Sequence, residues 1–422
     1  MSEDGFLPIN ILDVEVTEPL PALAARDPET GLPFGGVFCL LRHKGEPFDV
    51  LEYSFDGAEP SALRLEELIA QRQTPVTPRG TPVFRDDAPL ASVIVATRDR
   101  ASSLSVCLDS LLQQEYPAFD IVVVDNAPSN NETADMVTRR YASTGRVRYV
   151  RENRPGLGRA HNAGLERIDT EIAAFTDDDV IADPRWLASL VSNFDKENRV
   201  GCVTGLILPA ELKTRAQLWT EKHGGFGKGF DRKTYDLHKH RPPAKLFPYT
   251  AGQFGSGASM AFRTEVLRKI GGFDSALGAG TPARGGDDLA AFFEIVDAGY
   301  QLVYEPHSIV WHHHRRGEEG MRRQAFCYGM GLGAYLTKII MDRPSHFLRL
   351  AAVLPWGLTH MAGPSSAKSQ RLPQDYPRSL LWRERLGILA GCPGYVRSRA
   401  ALNHQATEAA LLAGRVTAER VG

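Results

Sequence analysis

The chain has 422 residues, with 49 Lys and Arg against 51 Asp and Glu, and 43% of its residues are hydrophobic. This length predicts two or three units with a sizeable buried core. The net charge of −2 gives no overall bias toward nucleic acid. The five cysteines are scattered and form no CxxC pair, so they predict neither a zinc site nor a redox motif and fit a reducing cytoplasm.

The first residues of the chain and its hydropathy predict where the protein is located in the cell. The opening MSEDGFLPIN is acidic and has no apolar segment, unlike a secretory signal. No run of 18 apolar residues marks a membrane span. We therefore expect a cytoplasmic protein, with any membrane contact being peripheral on the cytoplasmic face.

Residues 1–88 are predicted to form a small accessory α+β unit with a linker. Two apolar stretches, 36–41 and 48–53, are separated by HKGEP and predict a β-hairpin, and 61–73 predict a short helix. Four prolines in TPVTPRGTPVFRDDAP, residues 74–89, exclude a regular helix there. This stretch is the predicted linker.

Residues 89–316 alternate between strands and helices. The strands read SVIVAT, FDIVVVDN, VRYVRE and IAAFTDDD. The alternation predicts an α/β domain whose mainly parallel sheet is flanked by helices. Because ligands bind beyond the carboxyl ends of such strands, we expect Thr97, Asp99, Asp125 and Asp177 at one edge of the sheet.

Residues 317–422 are predicted to be helical. One apolar segment, FLRLAAVLPWGLTHM, is too short and too interrupted by proline to span a bilayer. Between 338 and 399 ten Lys and Arg stand against three acids. Two interpretations remain: a basic, partly apolar tail on an anionic membrane surface, or helices packed on the catalytic domain with a solvated charged face.

An acidic triplet, Asp177 to Asp179, directly follows the apolar residues 172–175. Adjacent carboxylates repel one another unless a cation or a basic partner neutralises them. Oxygen ligands suit Mg²⁺ or Mn²⁺, which complete their shells with water and substrate phosphates. The triplet therefore predicts a metal site for a diphosphate-linked substrate, with a simple acidic β-turn as the alternative.

Two further groups of polar residues lie downstream. Asp287 and Asp288 follow a glycine-rich loop at the predicted start of a helix, where the helix dipole stabilises an ionised carboxylate, although aspartate is also a good capping residue. In IVWHHHRR, strand alternation places His312 and His314 on one side and His313 on the other. This favours one histidine ligand over three.

Five motifs, in order, resemble family 2 glycosyltransferases with the GT-A fold. They are SVIVATRDR, VVVDNAPSN, ENRPGLGRAHNAGL, FTDDDVIADPRWL, and GGFD followed by GGDDL. The resemblance runs from about residue 91 to residue 316, and more weakly through the tail. It implies a GT-A-like (Rossmann-like) mixed sheet and an inverting, metal-dependent transferase.

The resemblance also implies residue roles. Asp177 and Asp179 would contact the metal and the diphosphate, with His312 as a further metal ligand. Asp288 would be the catalytic base, with Asp287 beside it. The other residues expected to bind the donor are Thr97, Arg98, Asp99, Asp125, Asn153, Gly156, Arg159, Asn162 and Asp178.

The chain departs from the family's pattern in places. Asp287 stands where Glu is frequent, which keeps the charge, and His161 stands where Arg or Lys is frequent, so Arg159 becomes the candidate replacement there. The Gln-x-x-Arg-Trp element of processive synthases is absent from the sequence. Single addition is therefore favoured.

The expected reaction moves a sugar, with inversion, from a UDP-, GDP- or dTDP-linked donor to an acceptor hydroxyl. The acceptor would be a glycan, a lipid-linked molecule or a small molecule in cell-envelope or exopolysaccharide assembly, and the cofactor Mn²⁺ or Mg²⁺. A metal-dependent nucleotidyltransferase is one alternative, but ATRDRASSL lacks the glycines that cradle a triphosphate. A non-catalytic sugar-binding protein is the other.

Overall fold

The computed structural model describes residues 5–57, 61–74, 80, 88–195, 198–224, 226–362, 372 and 376–419. Most of the predicted linker lies outside these residues, as do Lys368, Arg371 and Asp375 of the basic tail.

The strands and helices alternate along most of the chain. The strands are β1 (Ile9–Glu15), β2 (Gly36–His43), β3 (Glu46–Ser54), β4 (Ala91–Thr97), β5 (Phe119–Asn126), β6 (Val147–Glu152), β7 (Ile172–Asp177), β8 (Val180–Ala182), β9 (Val200–Pro209), β10 (Lys233–Tyr235), β11 (Ser259–Arg263) and β12 (Gln301–His312). The α-helices are α1 (Ala62–Ala70), α2 (Ala101–Leu111), α3 (Glu132–Tyr141), α4 (Leu157–Leu165), α5 (Trp186–Val191), α6 (Arg215–Gly224), α7 (Thr264–Lys269), α8 (Asp287–Asp297), α9 (Glu318–Asp342), α10 (Ser345–Ala362) and α11 (Arg378–Glu419).

A mixed sheet forms the centre of the molecule, in the order β10-β12-β9-β11-β7-β4-β5-β6, with β8 paired to β12. Strands β6, β5, β4 and β7 are parallel neighbours, β11 is antiparallel to β7 and β9, and β12 is parallel to β9. The predicted mainly parallel sheet flanked by helices is confirmed. Strands β4, β5, β7 and β12 all end at the same edge.

The central strands are buried on both faces, which explains their nearly continuous apolar sequences. Successive residues of β4 point to opposite faces. Val93 joins a buried cluster with Leu104 of α2. Ile94 joins another with Ala160 of α4 and Phe292 of α8. The helices on each face thereby fix the strand ends that carry the polar residues.

The N-terminal unit is a separate three-stranded sheet with α1. Strands β2 and β3 form the predicted hairpin, while β1, which the sequence analysis missed, pairs in parallel with β2. Phe38 and Leu40 are buried against Leu206 of the central sheet. Arg42 donates a 2.6 Å hydrogen bond to Asp183. The division of the chain at 88 and 316 stays a prediction.

Helices α9 and α11 pack with their backbones in contact. Glycines from both helices line the crossing: Gly329, Gly333, Gly387 and Gly391. A Cβ atom at Gly333 would lie 2.1 Å from the carbonyl oxygen of Ile388, and one at Gly387 would lie 2.2 Å from that of Phe326. Such distances are below any tolerated contact, so this crossing requires glycine.

Gly331 of α9 contacts Gly286, in the loop that precedes α8. A Cβ atom at Gly286 would lie 2.4 Å from the carbonyl oxygen of Gly331. Gly286 has φ +87° and caps α8. The start of α8, with its two aspartates, therefore packs directly against α9.

The predicted helical C-terminal region is confirmed. Several large apolar side chains on it are exposed, including Trp382 (62%) and Leu389 (72%). Among the described residues, no helix is long and apolar enough to cross a membrane.

Candidate active site

The edge where β4, β5, β7 and β12 end collects polar residues, as expected from the sequence. Thr97 ends β4, Asp125 lies near the end of β5, Asp177 ends β7 and His312 ends β12. Strand β8 follows the acidic triplet and pairs antiparallel with β12, with Val180 opposite His312. This pairing brings His312 to the triplet although β11 and β9 separate β12 from β7 in the sheet.

Asp177, Asp179 and His312 form the group best suited to hold a cation. One potential ligand atom from each lies within 4.8 Å of the others. His312 Nε2 lies 3.3 Å from Asp179 Oδ1, which is buried and lacks a hydrogen bond in the described part of the chain. Two carboxylates and one imidazole suit Mn²⁺ and, through their oxygens, Mg²⁺. The donor set therefore fits the predicted metal.

His312 and His314 lie on the same side of the chain, as strand alternation predicts. Their Nδ1 atoms are 3.1 Å apart. The Nε2 atom of His314 contacts Glu221 Oε2 at 2.8 Å, and the backbone N–H of His313 donates to the Asp179 carbonyl oxygen. One histidine of the three thus joins the acidic group, which agrees with the expectation of a single ligand.

Asp178 lines the same cavity as this group but is not one of its three members. Thr97 Oγ1 donates to Asp178 Oδ2 at 2.6 Å, and the Arg100 guanidinium donates to Asp178 Oδ1 at 2.6 Å and to Asp179 Oδ2 at 2.9 Å. The middle aspartate is therefore neutralised within the protein. Its predicted donor contact remains a prediction.

Arg100 was missed in the sequence, where Arg98 was named instead. Arg98 lines the adjacent cavity, and its guanidinium lies 3.7 Å from Asp99. The two arginines stand two residues apart in TRDR, so the motif itself did not show which one reaches the triplet. The start of α2 at Ala101 sets the direction of Arg100.

The protonation of the acidic group is uneven. Burial and the neighbouring charge of Asp179 raise the pKa of Asp177 to about 7, and burial raises the pKa of Asp178 to about 6. Although burial opposes it, contact with His312 and Arg100 lowers the pKa of Asp179. The negative charge therefore concentrates on Asp179, whose carboxylate lies between His312 and Arg100.

A cavity of about 440 Å³ opens beside the acidic group. We call it the donor cavity, after the donor substrate that the sequence leads us to expect there. Its lining includes Thr97, Arg98, Asn126, Asp177, Asp179, His312 and Arg315. Asp125 is fully buried behind it and accepts a 2.9 Å hydrogen bond from Tyr149. Its Oδ1 atom has no partner among the described residues, and burial raises its pKa.

Asp99 lies further out, beside the Ser129 loop. Its Oδ1 atom accepts 2.8 Å and 3.0 Å hydrogen bonds from Ser129, which help lower its pKa together with the Arg98 charge. Asp99 adopts the left-handed φ of +53°, which non-glycine residues seldom do.

The residues predicted from ENRPGLGRAHNAGL occupy different places. Gly156 caps α4 at φ +137° and donates to Asn126 Oδ1 at 2.9 Å. Asn153 accepts from Arg151, and Arg159 donates to Gln405 of α11. The side-chain amide of Asn162 donates a 2.7 Å hydrogen bond to the Phe273 carbonyl oxygen and accepts a 2.9 Å hydrogen bond from the Phe273 N–H. The structure does not place Asn153, Arg159 or Asn162 on the donor cavity.

A second cavity, of about 360 Å³, is lined in part by Asp288. We call it the acceptor cavity, after the role that the resemblance implies for Asp288. It shares Leu157, Asp177 and Ala279 with the donor cavity, so the two meet at the acidic group. Asp288 Oδ2 accepts a 3.0 Å hydrogen bond from the N–H of Gly257. Burial and the charge of Asp287 raise the pKa of Asp288 to about 6.

Asp287 is buried beside His161. The Asp287 Oδ2 and His161 Nδ1 atoms are 3.4 Å apart, and neither has a hydrogen bond in the described residues. His161 packs against Phe175 and Phe273, with ring centroids 5.2 and 4.7 Å away. His161, at the position where the family often has Arg or Lys, therefore contacts Asp287 of the acidic pair. Sequence order alone gave no signal for this contact.

Comparison with known proteins now adds the family. Residues 92–271 match the model of glycosyl transferase family 2. This stretch of the chain is therefore similar to that family. The match includes the acidic triplet and ends before Asp287 and His312, so the family model does not assign those residues. The family and the mixed sheet together confirm the predicted GT-A-like fold class.

Individual relatives are distant. The chain is 24% identical over 274 residues to a pre-mycofactocin glycosyltransferase of Mycobacterium tuberculosis, covering 65% of this chain and 51% of that protein. It is 27% identical over 194 residues to an O-antigen biosynthesis protein of Myxococcus xanthus, covering 44% and 15%. The chain thus spans about half the length of the first of these curated relatives.

One similar solved structure is a mannosyltransferase from Pyrobaculum calidifontis in complex with GDP-Man and Mn²⁺. The likeness covers 83% of this chain and 86% of that chain, with 21% sequence identity and a TM-score of 0.44.

Proposed function

We propose that this protein transfers a sugar from a nucleoside-diphosphate-sugar to an acceptor hydroxyl, with inversion at the anomeric carbon. The observation that carries the proposal is the meeting of the two cavities at Asp177. One contains the Asp177, Asp179 and His312 group, and the other contains Asp288. The similarity of residues 92–271 to the family supports the same reaction class.

In this proposal the nucleotide lies in the donor cavity. Thr97 ends β4, Arg98 and Asp99 follow it, and all three would border the nucleoside. Asp125 would accept a hydrogen bond from the base through its Oδ1 atom, which has no partner among the described residues. Arg315 and Arg98 line the cavity and would contact diphosphate oxygens, for which guanidinium groups are well suited. Asp178 would act indirectly, by holding Arg100.

Asp177, Asp179 and His312 would hold Mn²⁺ or Mg²⁺. A divalent cation bound there supplies positive charge that stabilises the departing diphosphate. Asp179 would be a ligand through Oδ1, the oxygen that lies near His312, while Arg100 orients it from the opposite oxygen. The protein's own contribution is to keep these groups together at the junction of the cavities.

Asp288 would accept the proton of the attacking hydroxyl. Its carboxylate is fixed by the N–H groups of Gly257 and Leu289, so it keeps one orientation in the acceptor cavity. A hydroxyl that enters from this side would attack the anomeric carbon opposite the diphosphate, which gives inversion. Asp287, next to His161, would keep the start of α8 in place.

The proposed acceptor belongs to cell-envelope or exopolysaccharide assembly. A relative named as an O-antigen biosynthesis protein supports this setting. The exposed stripe of Trp382, Leu386, Leu389 and Val396 on α11 would lie on the cytoplasmic face of a membrane, as amphipathic helices do. In sedimentation with anionic vesicles, Leu389→Asp should bind less than the natural protein; equal binding would contradict the membrane contact.

The experiment that tests the donor proposal is a thermal-shift panel of UDP, GDP and dTDP and their sugar conjugates, with and without Mn²⁺. Ligands that bind the folded state raise the melting temperature. We expect one nucleotide series to stabilise the protein, and more so with Mn²⁺. If no nucleotide stabilises it in either condition, the donor assignment is wrong.

A further inference from the structure

A basic recess adjoins the acceptor cavity. It has a volume of about 240 Å³ and is lined by Arg284, Glu319, Arg322, Arg323, Phe326 and Arg383. These residues come from the loop before α8, from α9 and from α11. The lining thus contains four guanidinium groups and one carboxylate, whereas the whole chain has slightly more acids than bases. We call this set of four arginines the arginine recess.

The charges of the recess are only partly compensated. Arg322 binds Glu318 at 2.7 Å, and Arg323 lies 3.7 Å from Glu319. Within the described ranges, no ion pair is recorded for Arg284 or Arg383. All four arginines are exposed and line one recess, so an oxyanion with several oxygens can reach them and bind through paired hydrogen bonds.

Arg284 is held in a conformation that its side chain does not favour. Its φ is +60°, in the left-handed region where non-glycine residues are strained. Glycine is the residue that normally occupies such positions, and Gly285 and Gly286 stand directly after it. Strained residues persist where the surrounding structure enforces them and are concentrated at functional sites. The strain singles out Arg284 from ordinary surface arginines.

Arg284 also connects the recess to the acceptor cavity, which contains the proposed catalytic base. It lines both the recess and the acceptor cavity, which contains Asp288 four residues later in the chain. The loop between them is seated on α9, where Gly331 contacts Gly286. A molecule anchored at the recess would therefore extend toward the Asp288 carboxylate.

We infer that the arginine recess binds an anionic group of the acceptor, a phosphate or a carboxylate, and so aligns its hydroxyl with Asp288. This inference rests on the proposed transferase function, because it assigns the second substrate of the same site. It defines the acceptor's chemical class as a hydroxyl compound that also carries an oxyanion.

Calorimetric titration of the full chain with phenyl phosphate, benzoate and phenol tests the inference without requiring turnover. The protein is first freed of metal with EDTA, so that the Asp179 group adds no metal-dependent binding. The EDTA is then removed by gel filtration, because its own carboxylates would compete for the recess. We expect phenyl phosphate or benzoate to bind and neutral phenol not to bind; the stronger of the two anions identifies the group on the acceptor. Absence of binding by both anions overturns the inference.

Two variants locate the site. Arg284→Gly removes the guanidinium and relieves the left-handed strain, so the protein should melt no lower than the natural one while losing about tenfold in anion affinity. Arg322→Gln with Arg383→Gln should lose at least as much. Arg139→Gln, at an exposed position in α3, is the matched control and should keep its affinity.

Equal anion affinity in Arg284→Gly and the natural protein overturns the inference. Arg315→Gln, which removes a guanidinium that lines the donor cavity, should bind the anions normally. Loss of anion binding in that variant would place the anion in the donor cavity and would also overturn the inference. Failure of the donor proposal appears separately, as absence of nucleotide binding in the thermal-shift panel.

Discussion

The donor and acceptor cavities meet at Asp177 but are built in different ways. The donor cavity is formed mainly by residues at the ends of β4, β7 and β12, held by a sheet that is buried on both faces. The acceptor cavity is bounded by α8, α9 and α11, which approach one another through glycines. The donor cavity follows from the order of the strands, and the acceptor cavity depends on close helix packing.

This difference explains what the sequence revealed. Strand ends are recognisable from apolar runs followed by polar residues, so Thr97, Asp125 and Asp177 could be assigned to one edge. The involvement of His312 was implied by family resemblance, and its physical cause, the pairing of β8 with β12, was not visible in the sequence. The start of α8 with its two aspartates was also predicted correctly.

The acceptor side was much less predictable. The spacing of Gly329, Gly333, Gly387 and Gly391 matters only once α9 and α11 are known to cross, and a long-range crossing leaves no local pattern. The contact of His161 with Asp287 joins residues more than a hundred positions apart. Arg284 and Arg100 were overlooked because surface arginines are common, and only their geometry distinguishes them.

The largest expected effect is on the rate of transfer, and it distinguishes the role of the acceptor cavity from that of the donor cavity. Asp288→Asn removes the proton acceptor while keeping the side chain's shape, so transfer should fall by about a thousandfold. Nucleotide-sugar binding should be unchanged, since Asp288 lines the acceptor cavity. Steady-state rates and calorimetry on the same sample measure both. Unchanged turnover would show that another group accepts the proton.

A variant of the donor cavity should give the opposite pattern. Asp179→Asn removes the carboxylate with the lowered pKa, so Mn²⁺-dependent nucleotide affinity should fall by about ten- to a hundredfold. Asp135→Asn, at an exposed position in α3, is the control. Titration with the nucleoside diphosphate at several Mn²⁺ concentrations measures the effect. Equal Mn²⁺ dependence in both variants would exclude Asp179 as a ligand.

The pH dependence should sharpen the assignment of Asp288. Burial and the charge of Asp287 raise its pKa to about 6, although nearby His161 and two N–H groups oppose the shift. The base must be ionised, so kcat/KM, which reports ionisation of the free enzyme, should fall as pH decreases through about 6 and be about tenfold lower one unit below. Asp288→Asn should lose this acid limb. A limb that persists in the variant belongs to another group.

The smallest expected effect concerns the helix packing behind the acceptor cavity. Gly333→Ala would bring a methyl group to 2.1 Å from the Ile388 carbonyl oxygen, which should cost about 1–3 kcal/mol in the free energy of unfolding. Gly317→Ala, whose added methyl would have no atom of the described residues within 4 Å, should cost much less. Urea unfolding measures both. Equal stability of the two variants would contradict the close crossing of α9 and α11.

A crystal structure with Mn²⁺ and the nucleotide-sugar selected by the thermal-shift panel tests the central claim most directly, that the two cavities form one active site joined at Asp177. The account predicts Mn²⁺ bound by Asp179 with Asp177 and His312, the nucleotide in the donor cavity, and the anomeric carbon facing Asp288. A metal held by other residues, or a sugar directed away from Asp288, would contradict it.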